Sequence, residues 1–226
     1  MINHLERTPM RLFLLLAILC TPLPVCAGAW MREVGTTFLS FSTTIDEVGD
    51  IGGSLYLTHG LRPKLTIGAK VDVDMLDNQL GNGTGYLFAR KPIPTGEQPF
   101  KLAYEIGVGS SFGPDSSPLL RAGLSYGRGF TLWDRSGWVA LDSAAEWEVN
   151  NSVTTYKLDS TIGLSLSARF QVMMQVFLSE TDSDLSTTIA PSVIWRPKED
   201  GPTRYHIGME DEDGTVALKL GLWRTF

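Results

Sequence analysis

From residue 35 onward the chain repeats one unit: a run in which apolar and polar or small side chains alternate, then a few turn residues. Leu65–Asp74 is the cleanest case. Leu65, Ile67, Ala69, Val71 and Val73 share one face, and Thr66, Gly68, Lys70, Asp72 and Asp74 share the other. A period of two is that of a β-strand with one apolar face. The same reading predicts twelve strands: Gly35–Ile45, Gly53–Gly60, Leu65–Asp74, Gly85–Lys91, Phe100–Gly109, Leu119–Phe130, Trp138–Trp147, Thr155–Leu166, Phe170–Ser179, Leu185–Trp195, Thr203–Glu210 and Thr215–Phe226. Three places resist the pattern. Phe38 falls on the polar face. In the fourth strand the outward pair is either Tyr86/Phe88 or Leu87/Ala89. Pro191 lies inside the tenth strand, costs a ladder hydrogen bond and predicts a bulge there. The Gly/Asn-rich stretch Met75–Thr84 and the Pro/Gly-containing Ser110–Pro118 read as loops. Runs of this length use ~120 positions and leave about seven residues for each connection, which suits hairpins. No stretch leaves room for a second domain or a plug domain, and ten or fourteen strands remain alternatives.

The N-terminus has a different character. Arg7 and Arg11 precede the apolar run Leu12–Leu19, and Val25-Cys26-Ala27 and Ala27-Gly28-Ala29 each offer a small residue for cleavage. The run is too short for a membrane span, and Pro22 and Pro24 follow it, so residues 1–27 read as a cleaved secretory signal peptide and 28–226 as the mature chain. Cleavage after Ala29 is the alternative. The 2 cysteines, Cys20 and Cys26, both lie within the signal. The mature chain is therefore expected to hold no disulfide, no thiolate metal site and no cysteine nucleophile. Removing Glu6, Arg7 and Arg11 leaves 17 basic and 24 acidic residues, a formal charge of −7, which argues against nucleic acid as a partner.

The last strand joins these observations. Val216, Leu218, Leu220, Leu222, Arg224 and Phe226 lie on one face, and Thr215, Ala217, Lys219, Gly221, Trp223 and Thr225 on the other. An amphipathic closing strand that ends on Phe resembles the C-terminus of Gram-negative outer-membrane β-barrels, in which the last strand is read by the barrel-assembly machinery. The resemblance implies an all-β fold, a single closed antiparallel transmembrane β-barrel of about 12 strands, and a place in the cell outer membrane with lipid and the assembly machinery as partners. In hydrocarbon such a sheet must close, because an open edge leaves N–H and C=O groups unpaired. An even count puts both termini on the periplasmic side. Arg128, Phe130, Trp195, Arg224 and Phe226 then become interface anchors at that side, with Trp147 and Tyr156 at the other.

The polar face would line the lumen. Its expected members are Lys70, Asp72, Lys101, Glu105, Arg121, Asp142, Glu146, Lys157, Asp159, Arg204, His206, Glu210 and Lys219, charged but nearly balanced. Twelve strands tilted by ~40° give a backbone diameter near ~24 Å and a lumen on the order of 10 Å after side chains. That width passes a small solute unless paired charges such as Glu105–Arg121 block it. The leading function is a passive channel for small hydrophilic solutes. The alternatives are a non-conducting structural or surface-interaction barrel, with acidic loops at Asp46–Asp50, Asp77, Glu180–Asp184 and Asp211–Asp213, and a lipid- or peptide-hydrolysing barrel. The last rests on His59 and His206 alone. No HExxH, GxSxG or phosphate loop is present, and Glu210–Gly214 lacks the spacing of a calcium loop. No catalytic residue, metal or cofactor is expected. A periplasmic β-sandwich, the soluble alternative, would extract without detergent. The barrel should instead show heat-modifiable migration on detergent gels, and identical mobility of boiled and unboiled samples would exclude it.

Overall fold

The computed structural model describes residues 29–76, 79–113, 116–150 and 152–226. The strands are β1 (Thr37–Asp46), β2 (Ile51–Arg62), β3 (Leu65–Leu76), β4 (Gln79–Ile93), β5 (Phe100–Phe112), β6 (Pro118–Leu132), β7 (Arg135–Glu148), β8 (Val153–Ser165), β9 (Phe170–Thr181), β10 (Asp184–Trp195), β11 (Thr203–Glu212) and β12 (Thr215–Thr225). Each pairs antiparallel with its neighbours in sequence, and β1 pairs with β12, so the sheet is a closed barrel of twelve strands. The expected signal, residues 1–27, and Asp77 lie outside the described residues.

The closing seam runs from Phe38↔Thr225 to Asp46↔Ala217. It is extended by two further bonds: the Phe226 amide donates to the Thr37 carbonyl at 2.8 Å, and the Thr37 amide donates back at 3.2 Å. The last residue of the chain is thus part of the ring.

Most strands, though not β1 and β12, are longer than their sequence pattern indicates, and the connections run from two to seven residues. Met75–Thr84 is not a loop. β3 continues to Leu76 and β4 begins at Gln79, with a register shift between Val73 and Met75. Its glycine content serves packing instead: a Cβ on Gly83 would overlap the Phe112 ring. Ser110–Pro118 keeps a loop at its centre: β5 runs on through Ser110–Phe112, the connection is residues 113–117, and Pro118 occupies the first position of β6, where proline is tolerated.

The fourth strand has a definite register. Tyr86, Phe88 and Arg90 point inward, and Leu87 points outward with 64% exposure. The reason lies on the neighbouring strands. Gly109 faces Tyr86 and Gly68 faces Phe88, and a Cβ at either glycine would overlap the aromatic side chain. Pro191 makes no bulge. Between β10 and β11 the pairs Ile189↔Asp211 and Ser192↔Gly208 keep one register across the gap at Ala190 and Pro191. The missing N–H removes a bond without adding a residue. The shifts occur elsewhere, at Gly60/Arg62 and Val73/Met75.

The outward face forms an apolar belt. Leu87, Ile106, Leu124, Tyr156, Leu185 and Ile207 are each more than half exposed, on six strands spread around the ring. A continuous surface of this kind exceeds what soluble proteins leave in water and is what lipid covers. At the end carrying both described termini, Phe100 packs on Tyr126 with centroids 5.6 Å apart and Trp195 on Tyr205 at 5.9 Å. Phe130 lies across Gly137. Arg128 and Arg224 are exposed there, and the Arg224 guanidinium sits 4.9 Å from the centre of the Phe226 ring. Trp147 and Tyr156 are exposed at the opposite end. Deleting Phe226 removes the outermost seam bonds and the ring against which Arg224 sits. The folded, heat-modifiable yield of the deletion should fall well below that of the full chain in reconstitution, and an unchanged yield would show that the seam does not need its last residue.

Candidate functional site: the lumen

The inward face of the barrel encloses a cavity of about 500 Å³. It extends from the hairpin end, at Thr44, Gly52 and Ser179, down to a floor of Phe38, Trp138, Met173, His206 and Trp223. Of the residues expected in the lumen, Lys70, Asp72, Glu105, Arg121, Asp142, Lys157, Asp159, His206, Glu210 and Lys219 line this cavity. Glu146 is 4% exposed and reaches the same space through its ion pairs. Lys101 is instead exposed at the end opposite the hairpin mouth and lines a second, smaller pocket with Ala29–Met31 and Pro92–Gly96. Arg204 lies opposite Trp223, outside the cavity.

Charges on adjacent strands are tied into a chain. Arg90 on β4 donates to Glu105 on β5 at 2.6 Å, Arg121 on β6 donates to Glu105 at 2.9 Å and to Glu146 on β7, and Lys157 on β8 pairs with Glu146 at 2.8 Å. The order follows from antiparallel registry, which sets Arg121 opposite Gly107 and Glu146 and leaves room beside each glycine for a long side chain. Arg90 also stacks on Phe88 and Arg121 on Tyr86, with guanidinium-to-ring distances of 5.2 Å and 4.8 Å. Two smaller groups complete the set. Lys70 pairs with Asp72 at 2.9 Å while Ser54 donates to the same carboxylate at 2.6 Å, and Lys219 pairs with Glu210 at 2.6 Å.

Each lumenal cation of the cavity, Lys70, Arg90, Arg121, Lys157 and Lys219, is therefore in an ion pair. The carboxylates exceed them, because Asp74, Asp142 and Asp159 also face the cavity. Asp142 and Asp159 are direct register partners on β7 and β8, and Asp142 Oδ1 is buried without a protein partner.

The two histidines of the barrel are on opposite sides of its wall. His59 faces outward near the terminal end, where its Nδ1 lies 2.8 Å from the Thr37 hydroxyl. His206 faces inward, 6% exposed, with its ring over Gly221 and 5.4 Å from the Trp223 ring. They form no common site. In two of the acidic hairpins the carboxylates hold the turn. Asp46 Oδ1 accepts from the amides of Val48, Gly49 and Asp50, Asp211 caps Gly214, and Asp213 accepts from the Thr187 amide. Among the described residues no group of three or more His, Cys, Asp and Glu is placed to hold a metal.

Sequence reasoning missed Arg90, the inward aromatic Trp138, and residues 29–34, which lie inside the ring rather than ahead of it; it left Tyr86 open and placed Trp223 on the inward face without giving it a role. A signal for the aromatics exists in the glycines. Gly68, Gly109, Gly163 and Gly221 each stand beside a ring or a ring-bearing backbone that fills the space of their missing side chain.

No family model and no curated protein sequence matches the chain. Solved structures do. The KdgM porin matches with a TM-score of 0.63 and 12% identity over 84% of this chain and 99% of that one, and is also described in complex with disordered oligogalacturonate. The COG4313 outer membrane channel from Pseudomonas putida F1 matches with a TM-score of 0.55 and 12% identity, over 90% and 100% of the two chains. The NanC porin gives 0.56 and 10%, over 81% and 98%. The shared property is the fold, that of outer-membrane β-barrels.

The Glu105 carboxylate bonds two guanidinium groups, the buried Arg90 and the mostly buried Arg121. Replacing it by Ala leaves both without their shared partner, a loss of roughly 3–5 kcal/mol for a broken buried pair. Denaturant unfolding in lipid vesicles should show a drop of that order for Glu105→Ala and a smaller one for Glu105→Gln, and a neutral alanine variant would mean that cavity water replaces the carboxylate.

Proposed function

We propose that the chain is an outer-membrane β-barrel, exported by a signal peptide ending at residue 27, that conducts small hydrophilic solutes passively. The observation that carries this reading is a charged cavity of about 500 Å³ inside a ring whose outer face is apolar. Similar folds are described as porins and outer membrane channels, which supports it. The partners that fit are membrane lipid on the belt and, during assembly, the machinery that receives the C-terminal strand. No step of this reading requires a catalytic group.

The lumenal charges bear on the solute. In the KdgM porin the bound molecule is oligogalacturonate, a polyanion. Here the cavity cations are already held by carboxylates, and seven acidic groups (Asp72, Asp74, Glu105, Asp142, Glu146, Asp159 and Glu210) face five basic ones. The field in such a passage favours cations and neutral solutes over polyanions. A non-conducting barrel is the second reading, favoured by the ion-pair chain and by the aromatic floor of the cavity.

Planar-bilayer recordings of purified protein separate the two. The expected result is discrete conductance steps with potassium preferred over chloride in a salt gradient. The double variant Asp142→Asn, Asp159→Asn should shift the reversal potential toward zero, and the preference should weaken as salt screens the carboxylates. Absence of steps across salts and voltages in folded protein would favour the structural barrel.

A further inference from the structure

The short stretch before β1 does not hang below the barrel. Residues 29–34 lie inside it, and they touch opposite walls. On one side the Arg32 amide donates to the Thr66 hydroxyl at 3.1 Å, its Nε donates to the Thr58 hydroxyl at 3.0 Å, and its guanidinium stacks 4.2 Å from the centre of the Phe38 ring. These contacts engage β1, β2 and β3. On the other side Trp30 packs against the buried cluster of Trp138, Met173 and Ile194 and covers Gly127, which engages β6, β7, β9 and β10. Three consecutive residues therefore bridge the lumen.

The wall is shaped to receive them. At Gly127 a Cβ would overlap the six-membered part of the Trp30 indole. At Gly60 a Cβ would overlap the Glu33 carbonyl, and the same glycine makes a parallel bridge with Val34 and accepts from the Gly35 amide at 2.8 Å. Thr58 and Thr66, which hold Arg32, are each 1% exposed, and Ala29 is 2% exposed. Trp30 packs against Trp138 and Met173 of the cavity floor and lines the smaller pocket on the terminal side, so the chain's own N-terminal segment adds a layer to that floor. Gly35, with φ of 82° and open space around its Cα, is where the segment turns from the lumen into the wall.

We propose that residues 29–34 are an internal plug: the passage is shut at this end while Trp30 is seated and opens when the segment swings out about Gly35. The proposal rests on the channel reading and adds its gate. The seat is an intramolecular peptide site, made of two glycine clefts and a threonine pair, and its occupant is fixed by covalent connection at high effective concentration.

The test removes the plug in one variant and fills its seats in two others. Trp30→Ala, Gly127→Leu and Gly60→Val are reconstituted alongside the wild type, and only preparations with heat-modifiable migration are recorded. The expected outcome is a several-fold rise in mean conductance, or in the fraction of time open, for Trp30→Ala and for whichever seat variants fold. The convergence of removal and eviction is what a plug predicts and what a local packing defect does not. Folded variants that conduct as the wild type does would overturn the plug and leave the channel intact. Silence of the wild type and of folded Trp30→Ala alike would overturn the channel reading, and the plug with it.

Discussion

Every backbone N–H and C=O of a sheet surrounded by hydrocarbon must find its partner within the sheet, and that requirement organises this molecule. It is met only if β12 returns to β1, and the seam from Thr37/Phe226 to Asp46↔Ala217 is where it is met. Once the ring is closed, the period of two has a fixed meaning on all strands at once. A one-residue slip anywhere would put a row of charges into lipid and a row of Leu, Ile and Val into the lumen. The cost of such a slip holds the register even at β4, whose own alternation is ambiguous, and across Pro191, where the ladder loses bonds but keeps its count.

Closure also decides the fate of the inward side chains. Twelve strands enclose too little space for long charged groups to stand apart in water. Arg90, Glu105, Arg121, Glu146 and Lys157, on five successive strands, instead neutralise one another in sequence. Such a chain stabilises only as a whole, because each inner member partners two others and desolvation is offset only when all are present. The glycines belong to the same constraint. In a narrow ring a Trp or Tyr can point inward only where the adjacent strand yields the volume, as at Gly163 beside Trp138 and Gly109 beside Tyr86.

What the sequence makes legible follows from this. Strand number, pairing partners and the face of most charged residues are consequences of alternation, and alternation is written locally. Leu65–Asp74 states its own orientation without help from any neighbour. The register of β4 is not local. Tyr86 and Phe88 face inward because Gly109 and Gly68 lie on other strands, and Arg90 could not be assigned to the lumen before that register was known. Met75–Thr84 misleads for a related reason, since its glycines are turn formers in isolation and packing sites in the sheet. Residues 29–34 have no period at all. Their placement depends on clefts at Gly60 and Gly127, 26 and 93 positions downstream of Val34.

The two devices that narrow the lumen differ in kind, and the difference bears on which could move. The ion-pair chain is built from side chains rooted in strands that hydrogen-bond on both edges, and displacing one member leaves buried charge behind. The contacts of the N-terminal segment include two hydrogen bonds from Arg32 to threonine hydroxyls, two from Thr36 to the Glu33 carbonyl, one stacking contact and one indole seat, and apart from the bridge between Val34 and Gly60 its backbone lies outside the ladder. Local opening draws on the least hydrogen-bonded, least interlocked parts of a fold. In a ring whose strands cannot separate without exposing their edges to lipid, the element free to leave is the one that enters the lumen without joining the sheet.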